Sequence, residues 1–488
     1  MRYRILITSV FVFALSFWIL SRNISDPFTG IHDHNGARFG NIAKNYLKYG
    51  QETRLGQVEQ KNSDGSFEYY THYPPLLSLS IAASYGIFGA SEGTTRIIPV
   101  FATSFTMALL FLIGYILWGW RVGIFASFLA LATPMVRYFG ANPVHETLVT
   151  FFASIVFLGL ALVVKNKNQK LGYWLVFTGS VLAALSGWGG YFVAPATILI
   201  FWKLKTDRKI IIFYLSILLA LFLGHFIFVR YLTGSFLGGE LGGAFLYRSG
   251  HTLQEFGVLK LLSQLRLWAS TLFTVSLLLT ASSWIFFWRK YRNRSVWLIP
   301  GMFIFGALYP LIFSNAAYVH NYFIFGLLPV LAICGSLATF SFLARLKKPL
   351  FISPLRIPRL STGENEAGKK EADFQKEIPP FQGRIGFILI PVIVLFLVAF
   401  ERQTFLEALE NSKTEELAYE IGTTIKDQTD KDDVILISPS TFLFSRKTFL
   451  SYYGERTLVA SESDQKYTWR VLVDEPTRSF RLFRENTK

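Results

Sequence analysis

Long apolar runs alternate with short polar, mostly basic segments along this chain. Residues 5–20 are apolar behind Arg2 and Arg4, and further apolar runs lie near 95–119, 122–139, 147–164, 171–187, 189–202, 210–230, 267–288, 296–313, 321–343 and 385–400. Most approach the length a helix needs to cross a hydrocarbon core of roughly 30 Å, which predicts a polytopic α-helical membrane protein with about eleven transmembrane helices. The first run is followed by SRNISDPF, without the small-residue pattern of a cleavage site. It reads as a retained signal anchor with the amino terminus in the cytoplasm.

The segment 74–90 decides the topology. It is apolar but short, opens with Pro74 and Pro75, and carries serines and glycines. Reading it as an interfacial helix places the Lys and Arg clusters at 165–170, 203–209 and 289–294 all on the cytoplasmic side, as the positive-inside rule requires. Four parts follow: a multi-span membrane domain over 1–344, a polar cytoplasmic linker over 345–384, a last span at 385–400 and a small extracytoplasmic α/β domain over 401–488. In that domain DDVILIS and WRVLVDE read as strands, and TEELAYEIGTTIKDQ and SRKTFLSYYGER as helices.

The polar stretch after the first span contains IHDHNGARFGNIAKNYLKYG. From Phe39 its apolar positions Phe39, Ile42, Ala43, Tyr46 and Leu47 follow helical spacing, with Arg38, Asn41, Lys44, Asn45 and Lys48 mostly opposite. Asp33 stands just before this amphipathic helix, where a carboxylate is either an N-cap or a reactive acid aimed into a cleft.

Composition narrows the picture. Of 488 residues 52% are hydrophobic and 16% charged, which fits a multi-span chain. The net charge of +16 is concentrated in the clusters between apolar runs, so orientation rather than nucleic-acid binding accounts for it. The single cysteine, Cys334, allows neither a disulfide framework nor a zinc–thiolate cluster. Ionisable residues near membrane segments are costly and point to function. His225 is the main mid-span example and reads as a packing residue. The others gather at the predicted outer ends: His32, Asp33, His34, His72, Arg137, His145, Glu146, Arg248, Arg266 and His320.

Taken in order, IHDHNGARFGNIAKNYLKYG, THYPPLLSLSIAASYGIFG followed by EGTTRIIPV, RYFGANPVHETLVTFFASIVFLGLAL and VHNYFIFGLLPVLAI resemble the membrane-embedded C-type glycosyltransferases. Within these they are most similar to the protein O-mannosyltransferase and lipid A aminoarabinose transferase group, over roughly residues 1–345. The resemblance implies a polyprenyl-phosphate sugar donor, a lipid, glycan or protein acceptor, and transfer on the extracytoplasmic face of the cell membrane. Asp33 matches the first-loop acid that acts as general base, with inversion at the anomeric carbon. Its place at a helix start predicts a carboxylate held ionised, hence a weak base. Glu146 matches an acid of the second external loop that orients the acceptor or assists Asp33; its other reading is a helix-start charge.

Arg137, Arg248 and Arg266 are candidates for the leaving phosphate, since guanidinium forks suit phosphate oxygens, or else for interfacial anchors. His320 falls where the family often has a polar residue near the donor. His72 either lines the same cleft or caps the helix begun by Pro74. His34 stands where many relatives carry a second acid. No cofactor is required by this reading; the alternative is a divalent metal on His32, Asp33 and His34, with His145 and Glu146 able to complete it. Tyr73 replaces the lysine usual in the aminoarabinose transferases, so their substrate is not implied. A transporter or flippase of lipid-linked saccharides is a competing function, but it predicts repeated halves, which the chain does not show, and polar groups near the midplane, whereas nearly all of these lie at the outer ends. An inactive scaffold relative is a third.

Overall fold

The computed structural model describes residues 2–62, 64–238, 241–249, 257–291, 294–346, 386–410 and, apart from 438–439, 441, 444–445, 460–466 and 475, residues 412–485. The predicted linker at 345–384 lies outside the described residues from 347 onward.

Among the described residues seven helices are long and apolar enough to cross a membrane. They are α1 (Arg2–Leu20), α4 (Glu92–Trp118), α7 (His145–Val164), α10 (Arg208–Thr233) and the segments Arg294–Ile312, Asn321–Arg345 and Leu389–Glu407. The last lies within the helix Gly386–Glu410. An eighth is reached only if Val258–Leu272 and Val275–Phe287, bent by 102°, count as one span.

The expected straight span at 267–288 is therefore broken. Thr274 adopts φ 65°, and the Glu401 carboxylate, from the last long helix, accepts from the Ser276 N–H at 3.3 Å and from its hydroxyl. Three other expected spans fall outside this set. The run 122–139 is a 13-residue helix, α5 (Trp120–Ala132), interrupted before Pro134–Phe139. The run 189–202 opens as a 3₁₀ turn, Trp188–Phe192, and leaves only 12 helical residues in Val193–Leu204. The run 171–187 is helical over Gln169–Ser186, but polar and small residues dilute its apolar content. The interfacial reading of 74–90 has a counterpart in α3 (Leu76–Phe88), whose 13 residues extend only about 20 Å.

The segment before α4 and the carboxy-terminal unit fold on one another. Helix α2 (His34–Tyr49) buries Phe39, Ile42, Ala43 and Tyr46 against α3 and Leu148, in a cluster with Tyr70, Tyr73, Leu77, Ile81 and Tyr85. Leu47, expected on that face, is exposed. Much of the polar face is engaged by other parts of the chain. Asn41 and Asn45 donate to Glu59 O and Val58 O of the hairpin formed by Gln57–Lys61 and Phe67–Tyr70, and Lys44 donates to Tyr452 O at 3.0 Å. The carboxy-terminal unit has a four-stranded sheet in the order Thr457–Val459, Val434–Leu436, Trp469–Asp474, Ser479–Arg484. Its first two pairings are parallel and its last is antiparallel. Two helices, Glu416–Gln428 and Lys447–Gly454, pack with it, and their core takes in Phe28 and Ala37 from the other end of the chain.

Gly36 and Gly40 make that contact possible. A Cβ on Gly36 would stand 2.2 Å from the Phe28 ring, and one on Gly40 would stand 2.7 Å from Tyr452. Gly36→Val is expected to cost about 1–3 kcal/mol through overpacking. The check is the thermal unfolding midpoint of the reconstituted protein; an unchanged midpoint contradicts the packing described.

Candidate active site

Asp33 ends the turn that leads into α2. His32 adopts φ 62°, a left-handed conformation uncommon outside glycine, and Asp33 Oδ2 accepts the Gly30 N–H at 2.9 Å. The side chain makes no cap hydrogen bond to α2, so of its two expected roles the cap is not formed. Oδ1 accepts from Asn142 Nδ2 at 3.1 Å, and the Arg96 guanidinium lies 3.6 Å from Oδ2. Arg96, in the first turns of α4, also donates to Ile24 O, Asp26 O and Pro27 O and sits 4.3 Å over the Phe28 ring. One buried cation thus gathers the turn from 24 to 33.

Asp33 lines a cavity of about 290 Å³ whose charged walls are Arg22, Arg96, Arg137 and Lys413 against Asp26 and Asp33. Ile19 and Leu20 at the end of α1 and Leu406 of the last long helix supply apolar wall. Arg137 donates to Ile19 O at 2.7 Å, and Tyr138 donates to Ile31 O at 2.8 Å. Burial pushes the Asp33 pKa above the ordinary carboxylate value; Arg96 and the Gly30 N–H oppose the rise, and the Glu415 carboxylate adds to it. The helix-start argument predicted the opposite direction. It fails because the carboxylate bonds to its own turn instead of the α2 amides, so desolvation dominates.

A second cavity of about 60 Å³ is lined by His34, Arg38, His145, Glu146, Arg248 and His320, with Tyr70, Tyr73 and Tyr322. Glu146, buried in the first turn of α7, accepts from Tyr309 Oη at 3.5 Å, and the Tyr309 and Tyr73 hydroxyls are 3.1 Å apart. The His145 ring stacks on Tyr73, and its Nδ1 is 2.7 Å from Ser186 O. Arg248 lies over the Tyr73 ring and bonds the His72 Nδ1 at 3.2 Å. His72 therefore supports Arg248 and does not cap α3, whose N-cap position is Pro75.

The His32 ring lies 5.9 Å from that of His34 and 5.3 Å from that of His320. Burial lowers all three pKa values, to about 4 for His32, about 3 for His320 and well below the ordinary value for His34. They are neutral at pH 7 and add no charge. Among the described residues no three His, Cys, Asp or Glu side chains are arranged to hold a metal ion, so the expected alternative set His32, Asp33 and His34 is not assembled. Arg266 is exposed on Val258–Leu272 and lines neither cavity.

No family model and no curated protein match the chain in sequence. Solved structures do match it in shape. ArnT from Cupriavidus metallidurans bound to undecaprenyl phosphate superposes with a TM-score of 0.61 at 12% identity, over 94% of this chain and 86% of that one. This chain has the ArnT fold. The oligosaccharyltransferase of Archaeoglobus fulgidus superposes with a TM-score of 0.58 at 12% identity, over 93% of this chain and 65% of that one. The same archaeal protein, AglB, in complex with an inhibitory peptide and a dolichol-phosphate, gives 0.56.

Within the ArnT fold seven of the sequence-predicted residues line one or other of the two cavities, and His32, His72 and Arg266 line neither. Asp33 and Arg137 line the larger, while His34, His145, Glu146, Arg248 and His320 line the smaller. Arg96, Asn142 and Tyr138 escaped the sequence reading. Arg96 carried a signal in EGTTRIIPV, a lone guanidinium opening an apolar helix. Asn142 carried none, because its role comes from a fold that sets it against Asp33 across 109 positions.

Proposed function

We propose that this multi-pass membrane protein is an inverting glycosyltransferase that moves a sugar from a polyprenyl phosphate to an acceptor hydroxyl on the extracytoplasmic face. The observation that carries this reading is the placement of Asp33: a carboxylate not used as a cap, raised in pKa by burial, on the wall of a cavity with excess positive charge. Asp33 takes the acceptor proton as the hydroxyl oxygen bonds to the anomeric carbon. The bond from that carbon to the phosphate oxygen breaks with inversion, and the electron pair leaves on the polyprenyl phosphate. A carboxylate with a raised pKa is a better proton acceptor for this step than an unperturbed one. Arg137, in the same cavity, and Arg248, in the smaller one, meet the charge on the leaving phosphate. Glu146, held by Tyr309, orients the acceptor or assists Asp33. The transferases that share the fold include one solved with undecaprenyl phosphate and one with dolichol-phosphate, which supports this donor class. In this reading the amino terminus is cytoplasmic and the carboxy-terminal unit extracytoplasmic.

Binding of undecaprenyl phosphate to the reconstituted protein tests the reading. Wild type should bind it well above undecaprenol, and Arg137→Gln and Arg248→Gln should each weaken binding by about tenfold or more, as loss of a charge-assisted hydrogen bond implies. Equal affinity for the two lipids sinks the donor assignment. Unchanged affinity in both variants removes the arginines from it.

A further inference from the structure

The turn that ends in Asp33 is held from the far end of the chain. The Phe28 N–H donates to Tyr453 Oη at 2.9 Å. The Glu415 N–H donates to Thr29 O at 3.0 Å, and the Thr414 hydroxyl donates to Gly30 O at 3.2 Å. Three consecutive residues, 28, 29 and 30, are thus each bonded to the carboxy-terminal unit, and the third gives its own N–H to Asp33 Oδ2.

The anchor is itself rigid. The Glu415 side chain is 5% exposed and accepts two hydrogen bonds from Arg446, at 2.6 Å from Nε and 3.2 Å from Nη2. This bidentate geometry fixes orientation as well as distance. The Phe28 ring is fully buried in the core of the carboxy-terminal unit, edge-on to Tyr452.

We propose that Tyr453 and the Glu415–Arg446 pair are positioning residues for Asp33, so that the carboxy-terminal unit is a working part of the transfer site. The proposal rests on the reading of Asp33 as the base. An appendage that only stabilised the protein would need none of these bonds on residues 28–30. Positioning requires them, since a base displaced by a fraction of an ångström no longer meets the acceptor proton.

Hydrogen–deuterium exchange on the full-length protein in lipid nanodiscs tests this without any substrate. Tyr453→Phe keeps the ring and removes the acceptor of the Phe28 N–H, and Arg446→Gln removes the bidentate anchor. Lys447→Gln is the control, because it breaks a tie from the same carboxy-terminal unit to the hairpin strand Phe67–Tyr70, the 3.1 Å bridge to Glu68. In both test variants peptides covering 24–36 should exchange about tenfold faster, while those covering Glu92–Trp118 and His145–Val164, and every peptide of the control, match wild type.

Unchanged exchange at 24–36 overturns the proposal, as does loosening of the whole protein together. The kinetic arm uses an undecaprenyl-phosphate sugar that wild type turns over. There kcat should fall at least tenfold in Tyr453→Phe with the donor KM within twofold; faster exchange with unchanged kcat overturns positioning. If wild type turns over no such sugar, the base reading fails, and the exchange result alone still decides whether the tether holds the turn.

Discussion

Asp33→Asn is expected to lower kcat by about 10²- to 10⁴-fold, the usual contribution of a general base, while the protein still folds and binds undecaprenyl phosphate. The substitution conserves shape, and an amide oxygen can keep the Gly30 N–H at the 2.9 Å contact. What it loses is the proton acceptor, the ion pair with Arg96 and the acceptor of the Asn142 Nδ2 hydrogen bond. Because burial raises the Asp33 pKa, the acid limb of the wild-type rate profile should lie above the ordinary carboxylate value. The sign follows from the chemistry: only the ionised form accepts a proton, so activity falls as the pH drops through the raised pKa. Steady-state turnover across pH measures both effects. An acid limb at or below the ordinary value would remove desolvation as the dominant influence on this carboxylate.

Arg96→Met has the largest expected structural effect. It leaves Asp33 buried without its cation and takes a shared donor from the carbonyls of Ile24, Asp26 and Pro27. Removing one partner of a buried pair typically costs about 3–5 kcal/mol. The unfolding midpoint should drop accordingly. In whatever fraction stays folded the acid limb should move further up, since the positive charge that opposed the rise is gone. Arg96→Lys should restore part of the limb and little of the stability, because an ammonium lacks the fork that reaches several carbonyls. A midpoint within a degree of wild type would show that Arg96 does not hold the turn.

Local pattern made one half of the site legible and contact across the chain hid the other. The spacing of Phe39, Ile42, Ala43 and Tyr46 located α2 and its buried face, and the residue before it was the acid that lines the cavity. The same pattern did not say what meets the polar face. Asn41, Lys44 and Asn45 are engaged by a hairpin and by a unit 408 residues away, which no local period reveals. The break at Thr274 is similar, for it depends on φ 65° at a threonine and on Glu401 arriving from the last long helix. Arg266 looked equivalent to Arg137 and Arg248 because sequence shows only that a guanidinium lies near an apolar run. Which of them turns to a cavity is set by packing. For the same reason the contact between the carboxy-terminal unit and the turn before α2 was invisible: the bond from Phe28 to Tyr453 spans 425 positions.

The most direct test of the central claim is transfer of labelled sugar by wild-type protein in liposomes, from a panel of undecaprenyl-phosphate hexoses and pentoses beside the matching nucleotide sugars. A cell-envelope extract serves as acceptor, and released undecaprenyl phosphate is quantified. The account predicts release from at least one lipid-linked donor and none of the label moved from the nucleotide donors when polyprenyl lipid is absent. Transfer from a nucleotide sugar without polyprenyl lipid, or no release from any lipid-linked donor, would contradict it.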